Sequence, residues 1–233
     1  PAFDAQVNAL GLLHVLDSAQ QCGVQQFVFA SSGGVLYGDV AEPAGEEHPA
    51  DPISPYGITK WVGERYLQFY TREHGMRCTA LRYANVYGPR QNPHGEAGVV
   101  AIFCKKMLVG EAPTINGDGK YIRDYVYGPD VAQANALALE RTTGPGFAAY
   151  NIGTAVPTDV NQLANMLREH IQQLLTARGS STSVPPPQYG PARAGDLRSS
   201  IVSAAKAERE LGWKPTMALN DGLRQTAEWF AAR

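Results

Sequence analysis

Tyr56 and Lys60 stand four residues apart in the segment SPYGITKWVGERYL. On a helix, side chains at this spacing share one face. A lysine ammonium beside a phenol favours the phenolate and lowers the tyrosine pKa. Such a tyrosine can exchange a proton with a hydroxyl near neutral pH. The spacing is common by chance, and alone it reads as two surface residues. Upstream, Ser31 and Ser32 close the apolar run Phe27-Val28-Phe29-Ala30 and precede Gly33-Gly34. Strand ends in parallel sheets are where ligands bind, and a serine hydroxyl there can hydrogen-bond a reacting oxygen. By itself a Ser-Gly cluster is a plain turn. A strand ending in serine, then a loop, then Tyr-x-x-x-Lys opening a helix, is much rarer than either half.

These groups need elements to hold them. The apolar spacing Phe3, Val7, Leu10, Leu13, Leu16 predicts a helix from the first residues to Cys22-Gly23, where glycine ends it. Phe27–Ala30 is predicted as a strand buried in a parallel sheet. A Gly- and Pro-rich loop from Gly33 to Pro55 follows, then a helix from about Tyr56 to Glu73 and a strand from Met76 to Tyr83. Strand, helix, strand at this spacing is a βαβ unit with a parallel sheet. Further along, the pattern predicts a helix near Val99–Leu108, a strand at Tyr125–Tyr127 and a helix capped by Asp130 that runs to Glu140. A strand at Tyr150–Ile152, a helix from Thr158 to about Thr176 and a proline-rich surface loop at Gly179–Pro187 follow. Two helices, about Ala204–Leu211 and Asp221–Ala232, close the chain, and there is no internal repeat.

Composition excludes several classes. The 233 residues are 44% hydrophobic and 18% charged, and 20 basic against 22 acidic residues leave a net charge of −2. That balance makes no electrostatic case for nucleic acid. No apolar run approaches the roughly 18 to 20 residues that span a bilayer, so no membrane partner is expected. Cys22, Cys78 and Cys104 are odd in number and widely spaced, which favours reduced thiols and a cytoplasmic setting over a disulfide frame or a metal site.

The segments FVFASSGGVLYGD, SPYGITKWVGERYL, LRYANVYGPRQ, RDYVYGPDVAQA, YNIGT and RAGDLRSS occur in the order found in UDP-glucose 4-epimerases. Across essentially the whole chain the sequence resembles that NAD-dependent nucleotide-sugar epimerase family of extended short-chain dehydrogenases/reductases. The resemblance implies an α/β fold: a partial Rossmann-type parallel sheet, first strands missing, with a smaller C-terminal substrate-binding lobe. Residues 1–87 would be what remains of the Rossmann-type catalytic domain. Residues 88–233 would be mainly the nucleotide-sugar-binding lobe, with 124–153 returning to the core.

The resemblance also implies roles. Ser32 would bond the substrate hydroxyl, with Ser31 the other candidate serine; Tyr56 would do the acid/base work. Lys60 would hold the nicotinamide ribose and tune the tyrosine. Asn8, Ser31, Tyr83 and Ala84 would line the nicotinamide end of NAD beside Tyr56 and Lys60. For a UDP-sugar, Asn85, Val99, Val100, Thr114, Ile115 and Asn116 match nucleotide-contacting positions. Arg123 and Arg193 match a pair that grips the diphosphate, a task suited to the guanidinium fork, and Asp196 matches a ribose-bonding acid. Without the family pattern, Arg123 reads as an ion pair with Asp124.

Ser200 stands where relatives with a bulky tyrosine tend to reject N-acetylated sugars, so a small residue there implies room for UDP-N-acetylhexosamines. Gly33 and Gly34 stand where related 4,6-dehydratases place carboxylates, which favours epimerisation. The family's GxxGxxG loop, which seats the cofactor pyrophosphate at a helix N-terminus, does not occur in these residues. The chain is therefore expected to bind NAD weakly by itself. A fragment that binds UDP-sugar or self-associates without turnover is the second reading. The helices beginning near Pro1 and Tyr56 resemble the family's dimer helices, and an open apolar edge at Phe27–Ala30 would also favour self-association.

Overall fold

The structure, a computed structural model, describes residues 1–93, 98–141, 144, 146–193 and 195–233. It opens on a continuous helical stretch: α1 (Ala2–Asp4), a wider π-helical section over Ala5–Leu10, and α2 (Gly11–Gln21). Strand β1 (Gln26–Ser32) leads into one helical turn, α3 (Gly33–Leu36), inside the span predicted as loop. Helix α4 (Pro55–His74) starts where Ser54 Oγ accepts from Gly57 N at 3.1 Å, with proline in its first turn. Both features suit a helix start, whose first amides have no partner within the helix.

Strands β2 (Arg77–Tyr83) and β3 (Asn85–Tyr87) come next, then α5 (Val99–Leu108), β4 (Thr114–Asn116), β5 (Ile122–Arg123) and β6 (Tyr125–Tyr127). They are followed by α6 (Gly128–Glu140), β7 (Phe147–Ile152), β8 (Thr158–Asp159) and α7 (Val160–Ala177). Strands β9 (Gln188–Gly190) and β10 (Ser199–Ser200) and helices α8 (Ala205–Leu211) and α9 (Leu219–Ala231) complete the order.

The predicted βαβ unit is β1-α4-β2. Strands β1, β2 and β7 form a parallel sheet in that spatial order, and among the described residues β1 is one of its edges. Its register sets Ser31 beside Arg82 and Ser32 beside Tyr83. One face packs Phe29, Cys78 and Ala80 against Leu12, Leu16 and Leu67 of α2 and α4. The other packs Leu81, Tyr150 and Ile152 against Ala134 and Ala138 of α6 and against Trp213. Alternation along β2 produces this split, because successive strand residues point to opposite faces. A separate apolar core joins α5, α7 and α9 through Phe103, Met107, Leu163, Leu167 and Leu223. Short pairings connect the rest: β3 with β6, β4 with β9, and β5 between β10 and β8.

Two local expectations are corrected. Asp130 does not cap α6, which begins at Gly128 with Tyr127 at the cap position. The Asp130 carboxylate instead accepts from Thr216 Oγ1 at 2.6 Å and from Thr216 N and Met217 N at 3.1 Å, tying down the segment before α9. The start predicted at Thr158 is short strand, and α7 is capped by Asp159 in a reciprocal box with Gln162. No helix among the described residues is long and apolar enough to cross a membrane.

Candidate active site

Lys60 lies one turn after Tyr56 on α4, and its Nζ sits 5.6 Å from the Tyr56 ring centroid and 5.0 Å from that of Phe29. It donates to the Ala30 carbonyl at 3.0 Å, which anchors it to β1 two residues before Ser32. Burial holds the Lys60 ammonium below the usual lysine range. The sign follows from linkage. A lysine lowered in the folded state costs stability at every pH below its folded pKa, and the cost disappears as pH rises through that value towards the unfolded one. Lys60→Met is therefore expected to raise the thermal midpoint at pH 7, with the gap to the unsubstituted protein narrowing by pH 10. Melting curves at the two pH values check this, and a variant that melts lower at pH 7 contradicts it.

The two serines face opposite ways. Ser31 is buried and its hydroxyl donates to Glu64 Oε1 at 2.6 Å. Strand alternation sends residues 31 and 32 to opposite faces, so the Ser31 side chain lies on the side of β1 that receives α4. Ser32 is half-buried on the other side. A methyl placed on Gly34 would lie 4.0 Å from Ser32 Oγ, 3.9 Å from Ser200 Oγ and 3.3 Å from Asn85 Oδ1. These three side chains therefore surround one small space. Gly33 has a different reason for being glycine: a Cβ there would meet Val202 at 2.9 Å and the Arg82 carbonyl at 3.0 Å.

Ser200 is buried, donates to the Gly34 carbonyl at 2.9 Å and pairs in register with Arg123. Arg123 Nη2 meets Asp196 Oδ1 at 2.5 Å, so its acidic partner is Asp196 and not the adjacent Asp124. Arg193 is exposed on the same loop, where its carbonyl accepts from Asp196 N. Val99 and Val100 open the first turn of α5, where Gln91 Oε1 accepts from Ala101 N at 3.2 Å and Gly98, at the cap position, offers no side chain. The Val100 and Ile115 side chains are buried in the α5–α7–α9 core, leaving only their main chain for a ligand. Thr114 is exposed and Asn116 half-buried on β4. Tyr83 Oη donates to Asn135 Oδ1 at 2.9 Å, Ala84 is buried against the sheet core, and Asn8 is half-buried in the π-helical section that packs on α4.

Two groups here escaped sequence reasoning. Asp124 is almost wholly buried and accepts from Thr154 N, Thr154 Oγ1 and Ala155 N at 2.6–3.1 Å. Its main chain bonds Asn85 N and Ser200 O, so it fixes the backbone of two of the three residues around the small space. Burial pushes its carboxyl up, against donors that pull it down. The second is Glu64, buried and bonded to Ser31 and to Arg82. Its signal was present: position 64 continues the Tyr56–Lys60 stripe by one more turn.

Residues 1–153 match the NAD dependent epimerase/dehydratase family. The chain is 41% identical over 234 residues to the UDP-glucose 4-epimerase of Mycolicibacterium smegmatis, covering 99% of this chain and 70% of that protein. Among solved structures, the UDP-glucose 4-epimerase of Thermotoga maritima with UDP-glucose superposes with a TM-score of 0.90 at 47% identity, over 100% of this chain and 72% of that one. The Thermus thermophilus UDP-glucose 4-epimerase complex with NAD gives 0.86 at 40% identity, over 97% and 70% of the two chains.

Proposed function

Because the chain belongs to the NAD dependent epimerase/dehydratase family, we propose that it interconverts UDP-hexoses epimeric at C4, with UDP-glucose and UDP-galactose as the natural pair. The observation that carries this reading is the grouping of Ser32, Asn85 and Ser200 about Gly34, with Arg123 in register beside Ser200. No carboxylate occupies positions 33 or 34, which supports epimerisation over elimination of water. NAD, when bound, would supply the reversible hydride acceptance that inversion at the sugar carbon needs.

The residues present fit the nicotinamide end of that cofactor. An ammonium has three donors, and Lys60 directs one to Ala30 while half-buried beside Tyr56, so others can meet ribose hydroxyls. Asn8, Tyr83 and Ala84 would complete this end. Tyr56, held as the phenolate by the Lys60 ammonium, takes the proton from the sugar hydroxyl, is a neutral phenol between the two transfers and then gives the proton back. Ser32 hydrogen-bonds the same oxygen and orients it. Arg123 and Arg193 would hold the diphosphate, Asp196 the ribose, and the main chain of Val99, Val100, Thr114, Ile115 and Asn116 the nucleotide. A coupled assay with NAD, following UDP-galactose conversion to UDP-glucose, tests the reading. Turnover that rises with NAD concentration is expected, and none at saturating NAD and any enzyme concentration removes the reading.

We take residues 1–87 with 124–153 as the cofactor side and the rest of 88–233 as the nucleotide-sugar side. Support comes from β7 pairing with β2 and from the separate α5–α7–α9 core. The unpaired cysteines favour a reducing, cytoplasmic setting.

Ser200 tunes the sugar. As the smallest hydroxyl side chain beside the space at Gly34, it leaves room for an acetamido group, so UDP-N-acetylglucosamine is expected to be a substrate. Ser200→Tyr should lower kcat/KM for that sugar at least about tenfold more than for UDP-glucose, by filling the volume. Equal losses on both substrates would remove the specificity role.

The partner we propose is a second copy of the chain. Phe3, Val7 and Leu10 are 76%, 52% and 48% exposed at i, i+4, i+7 spacing on the first helical stretch, and Ile58 and Phe69 are exposed on α4 packed against it. Exposed apolar side chains on two packed helices suit a self-complementary interface. Light scattering is expected to give a dimer mass, and Val7→Asp a monomer. A monomeric unsubstituted protein at high concentration contradicts it.

A further inference from the structure

We infer that Glu64 is a positioning residue that sets Ser32 against Tyr56 and Lys60, acting through Ser31 and Arg82. The inference rests on the proposed epimerase reading. Tyr56, Lys60 and Glu64 follow one another at four-residue steps on α4, so one face of the helix carries all three. Glu64 is fully buried, and a buried carboxylate is costly unless every lone pair is used. It uses them on the two strands whose ends form the site. Ser31 Oγ donates to Oε1 at 2.6 Å; Arg82 donates from Nε to Oε1 at 3.0 Å and from Nη2 to Oε2 at 2.7 Å.

Ser31 is the residue before Ser32, and Arg82 stands three before Asn85. One carboxylate therefore joins the helix that carries the proton-transfer pair to the strand ends that carry the serine and the asparagine. The bidentate guanidinium contact fixes rotation as well as distance, which a lone hydrogen bond does not. Arg82 is held in turn by donating from Nη1 to Tyr37 Oη at 2.7 Å, while Tyr37 donates to Asn151 Oδ1 at 2.7 Å. Asn151 lies on β7, so the connection spans all three strands of the sheet. A purely apolar contact between α4 and β1 would bury the same surface and allow the helix to slide. Reaction rates fall steeply with displacements of about 1 Å, so a lock at this place acts on turnover.

The test cuts the link at its mildest point. Ser31→Ala removes one hydroxyl and leaves the Glu64–Arg82 pair intact, so the protein folds. With NAD and UDP-glucose, kcat is expected to fall about 10- to 100-fold, with KM and UDP affinity unchanged and the thermal midpoint lowered only by the loss of one hydrogen bond to Glu64. A wild-type kcat, or a fall matched by an equal loss of UDP affinity, overturns the positioning role while the epimerase reading stands. The reading itself is judged on the unsubstituted protein. Should that protein turn over no UDP-hexose, hydrogen exchange still decides the link. Amides 31–33 should exchange at least about tenfold faster in Ser31→Ala, with protection in α6 and α7 changed far less. Unaltered exchange at 31–33 would overturn the inference.

Discussion

Tyr56→Phe is expected to lower kcat for UDP-galactose by about 10²- to 10⁴-fold, the usual worth of a positioned proton-transfer group. The ring stays, so its packing at the start of α4 and its contact with the Lys60 ammonium persist. What disappears is the one oxygen that takes the proton from the sugar hydroxyl and later restores it. Binding of UDP should be unchanged, because the groups proposed to hold the diphosphate, Arg123 and Arg193, lie on other elements. KM should move little, so the loss falls on kcat and on kcat/KM together, as for an interaction made in the transition state. The informative comparison is with Ser32→Ala, which removes an orienting hydrogen bond and not the proton acceptor. A Phe variant within tenfold of the parent would show that another group carries the proton, and the assignment built on the Tyr56–Lys60 stripe would be lost.

The second large effect concerns the fold. Arg82→Met is expected to destabilise the protein by about 3–5 kcal/mol, because it leaves the Glu64 carboxylate buried without its counter-charge. Arg82 is 6% exposed and makes two bonds to Glu64 and one to Tyr37. Burial alone would lower its pKa, yet the hydrogen bonds and charge of Glu64 hold it firmly protonated. For a chain of this size the loss corresponds to a fall in thermal midpoint of roughly 6–20 °C. The double change Glu64→Leu with Arg82→Met should recover most of it, since an apolar pair of similar volume avoids the desolvation cost. Thermal melts of the two variants beside the parent check this. A single Arg82→Met variant that melts with the parent would mean that the pair is not buried as described.

The contrast between these two sites marks how far the sequence reaches. Tyr56 and Lys60 could be placed on one face from spacing alone, because helical periodicity is local and Ser54 with Pro55 marks where α4 begins. The apolar run at Phe27–Ala30 identified β1 for the same reason: a few consecutive residues determine whether a segment suits a buried strand. The helices α5 and α8 and the strand β6 were legible within a residue or two on that basis. Order along the chain was enough to place Ser32, Asn85, Arg123 and Ser200 in one family pattern.

Long-range choices were not legible. That the Ser31 hydroxyl meets Glu64 on α4 depends on which side of β1 receives α4, and Glu64 and Arg82 lie in other elements. Arg123 pairs with Asp196 across 73 residues, although Asp124 stands next to it, because Asp124 is drawn inward by the amides of Thr154 and Ala155. Asp130 suggested a helix cap by its type and place, yet Thr216 and Met217 claimed it. A carboxylate goes where the most donors converge, and convergence is a property of packed elements. Local spacing determined which residues could do chemistry in this protein; only the packing of α4 on β1 and β2 decided which of them face one another.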